Sequence, residues 1–322
     1  MSNSGAMVGV PTRSALRAKF ADPDVTATGE RRARVGLRRL RTLWVNTGTL
    51  CNLTCANCYI ESSPTNDRLA YFPLGDLVAY LDEIANNGLG TEEIGFTGGE
   101  PFMNPDIIPM LEETLARGFR TLVLTNAMKP MAHKKDALRV LRRRHGERLQ
   151  IRVSLDHFDP ARHEEERGKG TFAITLAGLK WLAREGFRPR VAGRTRWGGT
   201  EAELRAGFAD LFAREGIAID CADPDMLVLF PEMDEAADVP EITERCWGVL
   251  GKDPASVMCA DSRMVVRRKG AAGPAVLACT LIAYDPAFEL GTRLADAAGE
   301  VSLNHPHCAR FCVLGGGACS RG

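Results

Sequence analysis

The chain has 322 residues, of which 45% are hydrophobic and 25% are charged, and its formal net charge is zero. A chain of this length can bury a full-sized core without the help of disulfides. The zero net charge excludes a global attraction to nucleic acid or to an anionic membrane, so neither partner is expected.

The sequence predicts a cytoplasmic protein. No apolar run approaches the length of a transmembrane helix, and the N-terminus lacks the apolar region of a secretory signal. In the cytosol thiols stay reduced, so the ten cysteines favour metal or cluster ligation over a disulfide framework.

Residues 1–42 are predicted to form an N-terminal arm that is partly flexible. The arginines of this arm are Arg31, Arg32, Arg34, Arg38, Arg39 and Arg41 in its last third, besides Arg13 and Arg17. We interpret this last third as solvated side chains that lead into the first strand. A site for an anionic partner is the alternative.

Residues 43–235 alternate short β-branched or apolar runs with amphipathic helical stretches. The predicted strands lie near Leu43, Ile94, Val123, Val153, Val191 and Val228. Several helical stretches close on glycine, as helix C-termini prefer. Six βα units predict an α/β fold, with a partial (β/α)6 TIM-like barrel favoured over an open doubly wound sheet. In such a barrel the functional residues follow the strand ends.

Three cysteines follow the first predicted strand within eight residues. Cys51, Cys55 and Cys58 have the spacing C-x3-C-x2-C. Thiolates at this spacing can hold three corners of an iron-sulfur cube and leave one iron without a protein ligand. A structural zinc site would need a fourth ligand, and neither Cys nor His follows in the loop.

This motif resembles that of the radical S-adenosylmethionine (SAM) superfamily. The resemblance implies a [4Fe-4S] cluster whose open iron chelates SAM, and whose electron cleaves SAM to methionine and a 5'-deoxyadenosyl radical. A second motif at the end of the second strand, Gly98, Gly99, Glu100 and Pro101, resembles the superfamily's GGE motif for the SAM amino group. Without the cysteines, the two glycines would indicate an ordinary turn.

Further SAM contacts are implied at later strand ends. By resemblance, Asn126 and Ser154 lie near SAM, and Arg194 could meet its carboxylate, although Arg194 could also be a surface residue. The residue before the third cysteine is often aromatic in the superfamily. Here it is Asn57, with Tyr59 after the cysteine as the candidate for cofactor packing.

Residues 236–322 are predicted to form a Cys-rich extension with a β-hairpin. This region resembles the SPASM or twitch extension of radical SAM enzymes, which implies an auxiliary cluster. The candidate ligands are Cys259, Cys279, Cys308, Cys312 and Cys319, five thiols for a cube that needs four. Closed zinc ligation by four thiolates is the alternative. His305 and His307 are candidates for ligation or for hydrogen bonding to a cluster.

The resemblance predicts an enzyme that abstracts a hydrogen atom, with His157, Asp159 and Glu232 as the candidate catalytic bases. For the two acidic residues, a helix cap or a solvated loop position is the alternative. The substrate is expected to be a small metabolite, and a ribosomally made peptide is the alternative. A flavodoxin or ferredoxin is the expected reductant. An iron-sulfur electron carrier without catalysis is the alternative of another class.

Overall fold

The computed structural model describes residues 18–317. Cys319, one of the five predicted auxiliary ligands, lies outside the described residues, as does the first part of the predicted N-terminal arm.

The strands of the described residues are β1 (Arg34–Val35), β2 (Thr42–Asn46), β3 (Glu93–Thr97), β4 (Arg120–Thr125), β5 (Leu149–Ser154), β6 (Arg190–Arg194), β7 (Leu227–Phe230), β8 (Ser262–Val266), β9 (Ala275–Leu277), β10 (Glu289–Gly291) and β11 (Val301–Ser302).

The α-helices are α1 (Leu74–Asn87), α2 (Ile107–Ala116), α3 (Lys129–Ala132), α4 (Lys135–His145), α5 (Pro160–Arg167), α6 (Thr171–Arg184), α7 (Glu201–Glu215) and α8 (Cys246–Leu250). Short 3-10 helices lie at Pro101–Met103, Gly146–Arg148, Pro254–Ser256, Met258–Ala260, Pro286–Phe288 and Ala295–Ala298, and a π-helix spans Cys308–Leu314. Helix ends follow local rules: α7 begins with a capping box between Thr200 and Glu203, and α1 ends at Gly88 in the left-handed conformation.

One sheet organises the molecule. Its strand order is β10-β9-β8-β2-β3-β4-β5-β6-β7, and every neighbouring pair from β8 to β7 is parallel. The prediction of an α/β fold with a mainly parallel sheet is therefore confirmed. Within residues 18–317, β7 pairs with β6 on one side and with no strand on the other, so the sheet does not close.

The C-terminal region does not stand apart from this sheet. Strand β8 lies parallel to β2, with Thr42 opposite Ser262, and β9 pairs with β8 in antiparallel fashion. All five residues of β8 are buried. The strands of a parallel sheet are covered on both faces, and the full burial of β8 agrees with its place beside β2 in this sheet.

The end of the N-terminal arm is also anchored to the C-terminal region. Strand β1 pairs with β11, and the Arg32 side chain is buried in an ion pair with Glu241, with 2.5 Å between Nη2 and Oε1. The interpretation of all six arginines as solvated is therefore wrong for Arg32. The remaining charge pattern gave no sign of it, because the partner lies 209 residues away.

Two apolar clusters fill the two sides of the sheet region. The larger contains β3, β5 and the helices α1, α2, α6 and α7, while the smaller joins Trp44 and Ile60 to the C-terminal region. Among residues 18–317, no helix has both the length and the apolar character that a membrane crossing requires.

Candidate active site

The three clustered cysteines line one wall of a cavity at the carboxyl ends of the parallel strands. The cavity has a volume of about 160 Å³, and Cys51, Cys55 and Cys58 all face it. Backbone N–H groups point at two of the sulfurs: Leu53 donates to Cys51 Sγ at 3.4 Å and Ser62 donates to Cys58 Sγ at 3.3 Å. The loop thus holds its thiols toward one enclosed space.

The two glycines after β3 pack closely against the backbone that leads into the cysteine loop. A Cβ atom at Gly99 would lie 2.2 Å from the Leu50 carbonyl oxygen, and one at Gly98 would lie 2.5 Å from that of Gly48. The Gly99 N–H donates to Gly48 O at 2.8 Å. Only glycine permits so close an approach, so the glycines position the cysteine loop as well as lining the cavity.

Glu100 takes a different place from the one predicted for a group that receives the SAM ammonium. Its carboxylate is buried behind the cavity wall and accepts hydrogen bonds from Thr125 Oγ1 at 2.8 Å, from the Asn126 N–H at 2.9 Å and from the Phe102 N–H at 3.2 Å. Burial raises the pKa of Glu100 to about 7, and these donors oppose the shift. Pro101 begins the adjoining 3-10 helix and is also buried.

Other predicted cofactor residues do face the cavity. Tyr59, Asn126, Ser154 and Arg194 line it together with the cysteines. The Asn126 side chain also reaches the cysteine loop, because its Nδ2 donates to Asn52 Oδ1 at 3.0 Å.

Glu166, at the end of α5, clamps the cysteine loop from the opposite side. Its Oε1 accepts from the Asn57 N–H at 2.8 Å, and its Oε2 accepts from Asn57 Nδ2 at 2.9 Å. The Glu166 carbonyl oxygen accepts from the Ala56 N–H at 2.8 Å. Asn57, which departs from the expected aromatic residue, therefore has a buried partner of its own.

The residue after this clamp places a positive charge beside the thiols. Arg167 forms a bidentate pair with Asp156, with contacts of 2.6 and 3.0 Å. Burial raises the pKa of the Cys55 thiol, and the Arg167 guanidinium opposes this shift. Arg167 and Asp156 both line the cavity.

Arg194 is occupied by two carboxylates. Its Nη1 lies 2.7 Å from Glu166 Oε1, and its Nη2 lies 3.0 Å from Glu232 Oε1. The predicted fork onto a SAM carboxylate is therefore already engaged by the protein. Among the described residues the Arg194 Nε, which is buried, has no hydrogen-bond partner.

None of the three predicted catalytic residues, His157, Asp159 and Glu232, lines the cavity. His157 is buried among aromatic rings, its Nδ1 accepts from the Asp159 N–H at 2.9 Å, and it contacts the Phe158 and Trp197 rings. Asp159 caps α5 by accepting from the Ala161 N–H. The structure gives both residues local structural partners, which is the physical reason they do not project toward the cysteines.

Glu232 lines a neighbouring pocket instead of the cavity. A shallow outer pocket of about 410 Å³ is lined by Asn57, Glu165, Arg196, Trp197, Glu232 and Asp234. Asn57 lines both the outer pocket and the cavity, so the two spaces are neighbours. The outer pocket has three carboxylates and one guanidinium.

Four C-terminal cysteines converge on a second, smaller cavity. Cys259, Cys279, Cys308 and Cys312 line a space of about 20 Å³. Cys308 and Cys312 are four residues apart on the π-helix, which presents both to the same side. Burial raises the pKa of Cys259 to about 11. Burial also raises the pKa of Cys308 well above its usual value, and the neighbouring Cys279 adds to this shift.

Arg263 supplies buried positive charge beneath this group. Its side chain is 1% exposed, and its Nη1 donates to the Cys259 carbonyl oxygen at 2.6 Å. Burial lowers the pKa of Arg263, and Cys259 and Cys279 oppose that shift.

The two histidines beside these cysteines form a separate cluster with Glu235. Their ligand atoms lie within 4.8 Å of one another, and His307 also lines the second cavity. His305 Nδ1 accepts from the His307 N–H at 3.1 Å, so in the neutral ring the proton lies on Nε2, which faces Glu235. This arrangement favours hydrogen bonding over metal ligation by His305.

Sequence reasoning missed Asp156, Glu166 and Arg167, all of which line the cavity. The segment 164–167 is a run of charges, a pattern typical of a solvated helix face, yet Glu166 is only 2% exposed. Asp156 had a positional signal, because it follows the end of the fourth strand.

Part of the chain is similar in sequence to a known protein family. The profile of the Radical SAM superfamily matches residues 45–201. The antilisterial bacteriocin subtilosin biosynthesis protein AlbA of Bacillus subtilis is 34% identical over 143 residues, covering 44% of this chain and 30% of AlbA. GTP 3',8-cyclase of Rhodococcus opacus is 29% identical over 218 residues, covering 66% of this chain and 58% of the cyclase. The chain thus matches less than two thirds of the length of either relative.

A solved structure gives the same fold. That of anSMEcpe with bound AdoMet superposes with a TM-score of 0.56 and 14% identity, covering 80% of this chain and 76% of anSMEcpe. The superfamily implies SAM and a [4Fe-4S] cluster, and its members are enzymes. Residues 45–201 are thus similar in sequence to the radical SAM superfamily domain.

Proposed function

We propose that the protein is a radical SAM enzyme. Cys51, Cys55 and Cys58 would hold a [4Fe-4S] cluster with one open iron, which supplies the electron that cleaves SAM to the 5'-deoxyadenosyl radical for hydrogen abstraction from a substrate. The observation that carries the proposal is the convergence of three loop thiols on one enclosed cavity beside the strand ends. A flavodoxin or ferredoxin is the proposed reductant.

The residues present fit this cofactor pair. Three thiols and the buried hydroxyl of Ser62, which has no hydrogen-bond partner among residues 18–317, line one cavity, and two backbone N–H groups donate to the sulfurs. Gly98, Gly99, Tyr59, Asn126 and Ser154 would contact SAM.

The charges around the cavity shape the proposed roles of the remaining polar residues. Arg194 would hold Glu166 and Glu232 in place and offer its Nε to the ligand. Glu232 is the remaining candidate base of the three predicted, because it lines the outer pocket and contacts Arg194, which lines the cavity. A base at this position would remove a proton only after the substrate has been activated.

The cavity favours a substrate without phosphates. Arg167 is paired with Asp156, and Arg194 with Glu166 and Glu232, while Arg152 attracts Glu93. The carboxylates of the outer pocket would further repel a polyanion. This argues against GTP as the substrate, although a GTP cyclase is among the relatives.

Part of the cavity lining is apolar. It includes Leu124, Phe230, Met233, Leu281 and Phe311. A small metabolite with an apolar portion is the favoured substrate. A ribosomally made peptide that presents an apolar side chain is the second candidate, favoured by the similarity to a bacteriocin biosynthesis protein.

We also propose that the second group of cysteines holds an auxiliary [4Fe-4S] cluster, with Cys308 rather than Cys319 as the fourth ligand. Cys308 lines the same cavity as Cys259, Cys279 and Cys312. A zinc ion would bring its sulfurs to about 3.8 Å from one another, given a Zn–S length of about 2.3 Å. In the described part of the chain, no three cysteine sulfurs lie within 4.8 Å of one another.

The two cavities share a wall. Leu281 lines both, and its N–H donates to Cys279 Sγ at 3.3 Å. An auxiliary cluster at Cys279 would therefore lie one side chain away from the substrate, close enough to accept an electron from it or to contact it.

Anaerobic reconstitution, chemical reduction and addition of SAM test the proposal. We expect 5'-deoxyadenosine from the wild type and none from Cys55→Ala, with Cys246→Ala as a matched control for loss of a thiol. No nucleoside from a wild type that carries its full iron would favour the electron-carrier alternative. Deuterium transfer from labelled candidate substrates, metabolite or apolar peptide, into 5'-deoxyadenosine would then identify the substrate.

A further inference from the structure

Ser62 carries a buried hydroxyl that the protein itself leaves unsatisfied. The residue is 4% exposed and lines the cavity, and among the described residues its Oγ has no hydrogen-bond partner. Buried hydroxyls are nearly always paired, because desolvation without a partner is unfavourable. The Ser62 hydroxyl therefore indicates a ligand atom inside the cavity.

The backbone of Ser62 is already tied to a cysteine of the loop. Its N–H donates to Cys58 Sγ at 3.3 Å, which holds the residue beside that sulfur. Within residues 18–317, no hydrogen bond joins the hydroxyl to Cys58 Sγ. The hydroxyl therefore lies beside the cysteine loop and remains able to donate to a ligand atom in the cavity.

Contacts on two sides hold the segment around Ser62 in place. The Cys51 N–H donates to Ser63 O at 3.0 Å, and Tyr284 Oη donates to Ile60 O at 2.8 Å, so the cysteine loop and the C-terminal region both anchor this segment. Of the polar residues proposed for SAM, Asn126 follows β4 and Ser154 ends β5. Ser62 and these two residues line the same cavity as the three thiols.

We propose that the Ser62 hydroxyl donates a hydrogen bond to a sulfide of the cluster held by Cys51, Cys55 and Cys58, and that it tunes the reduction potential of that cluster. The inference rests on the proposed function for the presence of the cluster. A hydrogen bond to a cluster sulfur stabilises the reduced, more negative state and makes the potential more positive.

The test is a redox titration of the anaerobically reconstituted full-length protein. The midpoint potential is measured by electron paramagnetic resonance on the signal that added SAM perturbs, which separates this cluster from an auxiliary one. We expect Ser62→Ala to move the midpoint to a more negative potential with unchanged iron and sulfide content. Ser62→Thr keeps the hydroxyl and should retain the wild-type midpoint. Thr54→Ala removes an exposed hydroxyl from the same loop and is the matched control.

An unchanged midpoint in a fully loaded Ser62→Ala protein would overturn the inference. An increased KM for SAM at an unchanged midpoint would assign the hydroxyl to SAM instead and would overturn it as well. Ser62→Gly provides a second hydroxyl-free variant if the alanine protein loads poorly. The titration needs the cluster and SAM binding but no SAM cleavage, so a wild type that binds SAM at the cluster yet forms no 5'-deoxyadenosine would refute the proposed function and leave this inference measurable.

Discussion

Replacing Glu166 by alanine should destabilise the protein strongly, because this carboxylate connects the cysteine loop to α5 through hydrogen bonds with Asn57. The substitution removes acceptors at 2.8 and 2.9 Å from Asn57 and an ion pair at 2.7 Å with Arg194. The two charged side chains are only 1% and 9% exposed, so solvent screens the pair little. Removing one partner of a buried pair costs about 3–5 kcal/mol, and Arg194 retains Glu232, which favours the lower end, about 3 kcal/mol.

The assay is urea unfolding of the metal-free protein, followed by circular dichroism. Glu165→Ala is the matched control, since that neighbouring side chain is about half exposed and accepts from the Trp197 indole at the surface. Its loss should cost less than about 1 kcal/mol. A loss of less than about 1 kcal/mol for Glu166→Ala as well would refute the reasoning that the pair is buried and loop-supporting.

Three further predictions concern the clusters and a buried carboxyl. Cys308→Ala should lower the iron content from about eight to about four per chain while SAM cleavage persists. Cys221→Ala, which changes a core cysteine, should leave the iron content unchanged. About eight irons per chain in Cys308→Ala would remove this residue from the set of proposed ligands. Gly99→Ala should reduce the iron content of the first cluster, because the added Cβ would lie 2.2 Å from Leu50 O. Gly273→Ala, whose Cβ would lie in open space, should leave the iron content unchanged. Equal iron content in the two variants would contradict the packing argument. The metal-free wild type should lose stability relative to Glu100→Gln as pH rises from about 4.5 to about 7, because the pKa of Glu100 is higher in the folded protein than in the unfolded chain. Thermal melts of both proteins across this pH range measure the difference in stability. A difference that does not change with pH would contradict the prediction.

The parallel sheet could be predicted because its signals are local. Short buried runs such as β3 and β4 alternate with amphipathic helices, and this alternation can be read from neighbouring residues alone. The position of β8 could not be predicted in this way. Its partner β2 lies about 220 residues earlier, and only the burial of both strands brings them together.

The site was predictable where spacing carries the chemistry. The thiols of Cys51, Cys55 and Cys58 share a short loop, so proximity in sequence becomes proximity in space. Glu166 and Arg263 gave no such signal, since each acts through contacts with distant segments. Gly98 and Gly99 were predicted to approach a ligand, and they also approach the backbone of the cysteine loop, a contact that depends on how the two strand ends pack.

The most direct test of the account is the electron paramagnetic resonance spectrum of the reduced protein before and after addition of SAM. An iron without a protein ligand at the Cys51, Cys55 and Cys58 loop should bind SAM directly, so the account predicts a changed spectrum in the wild type and no SAM-dependent change in Cys55→Ala. A fully loaded wild-type protein whose spectrum stays the same at saturating SAM would contradict it.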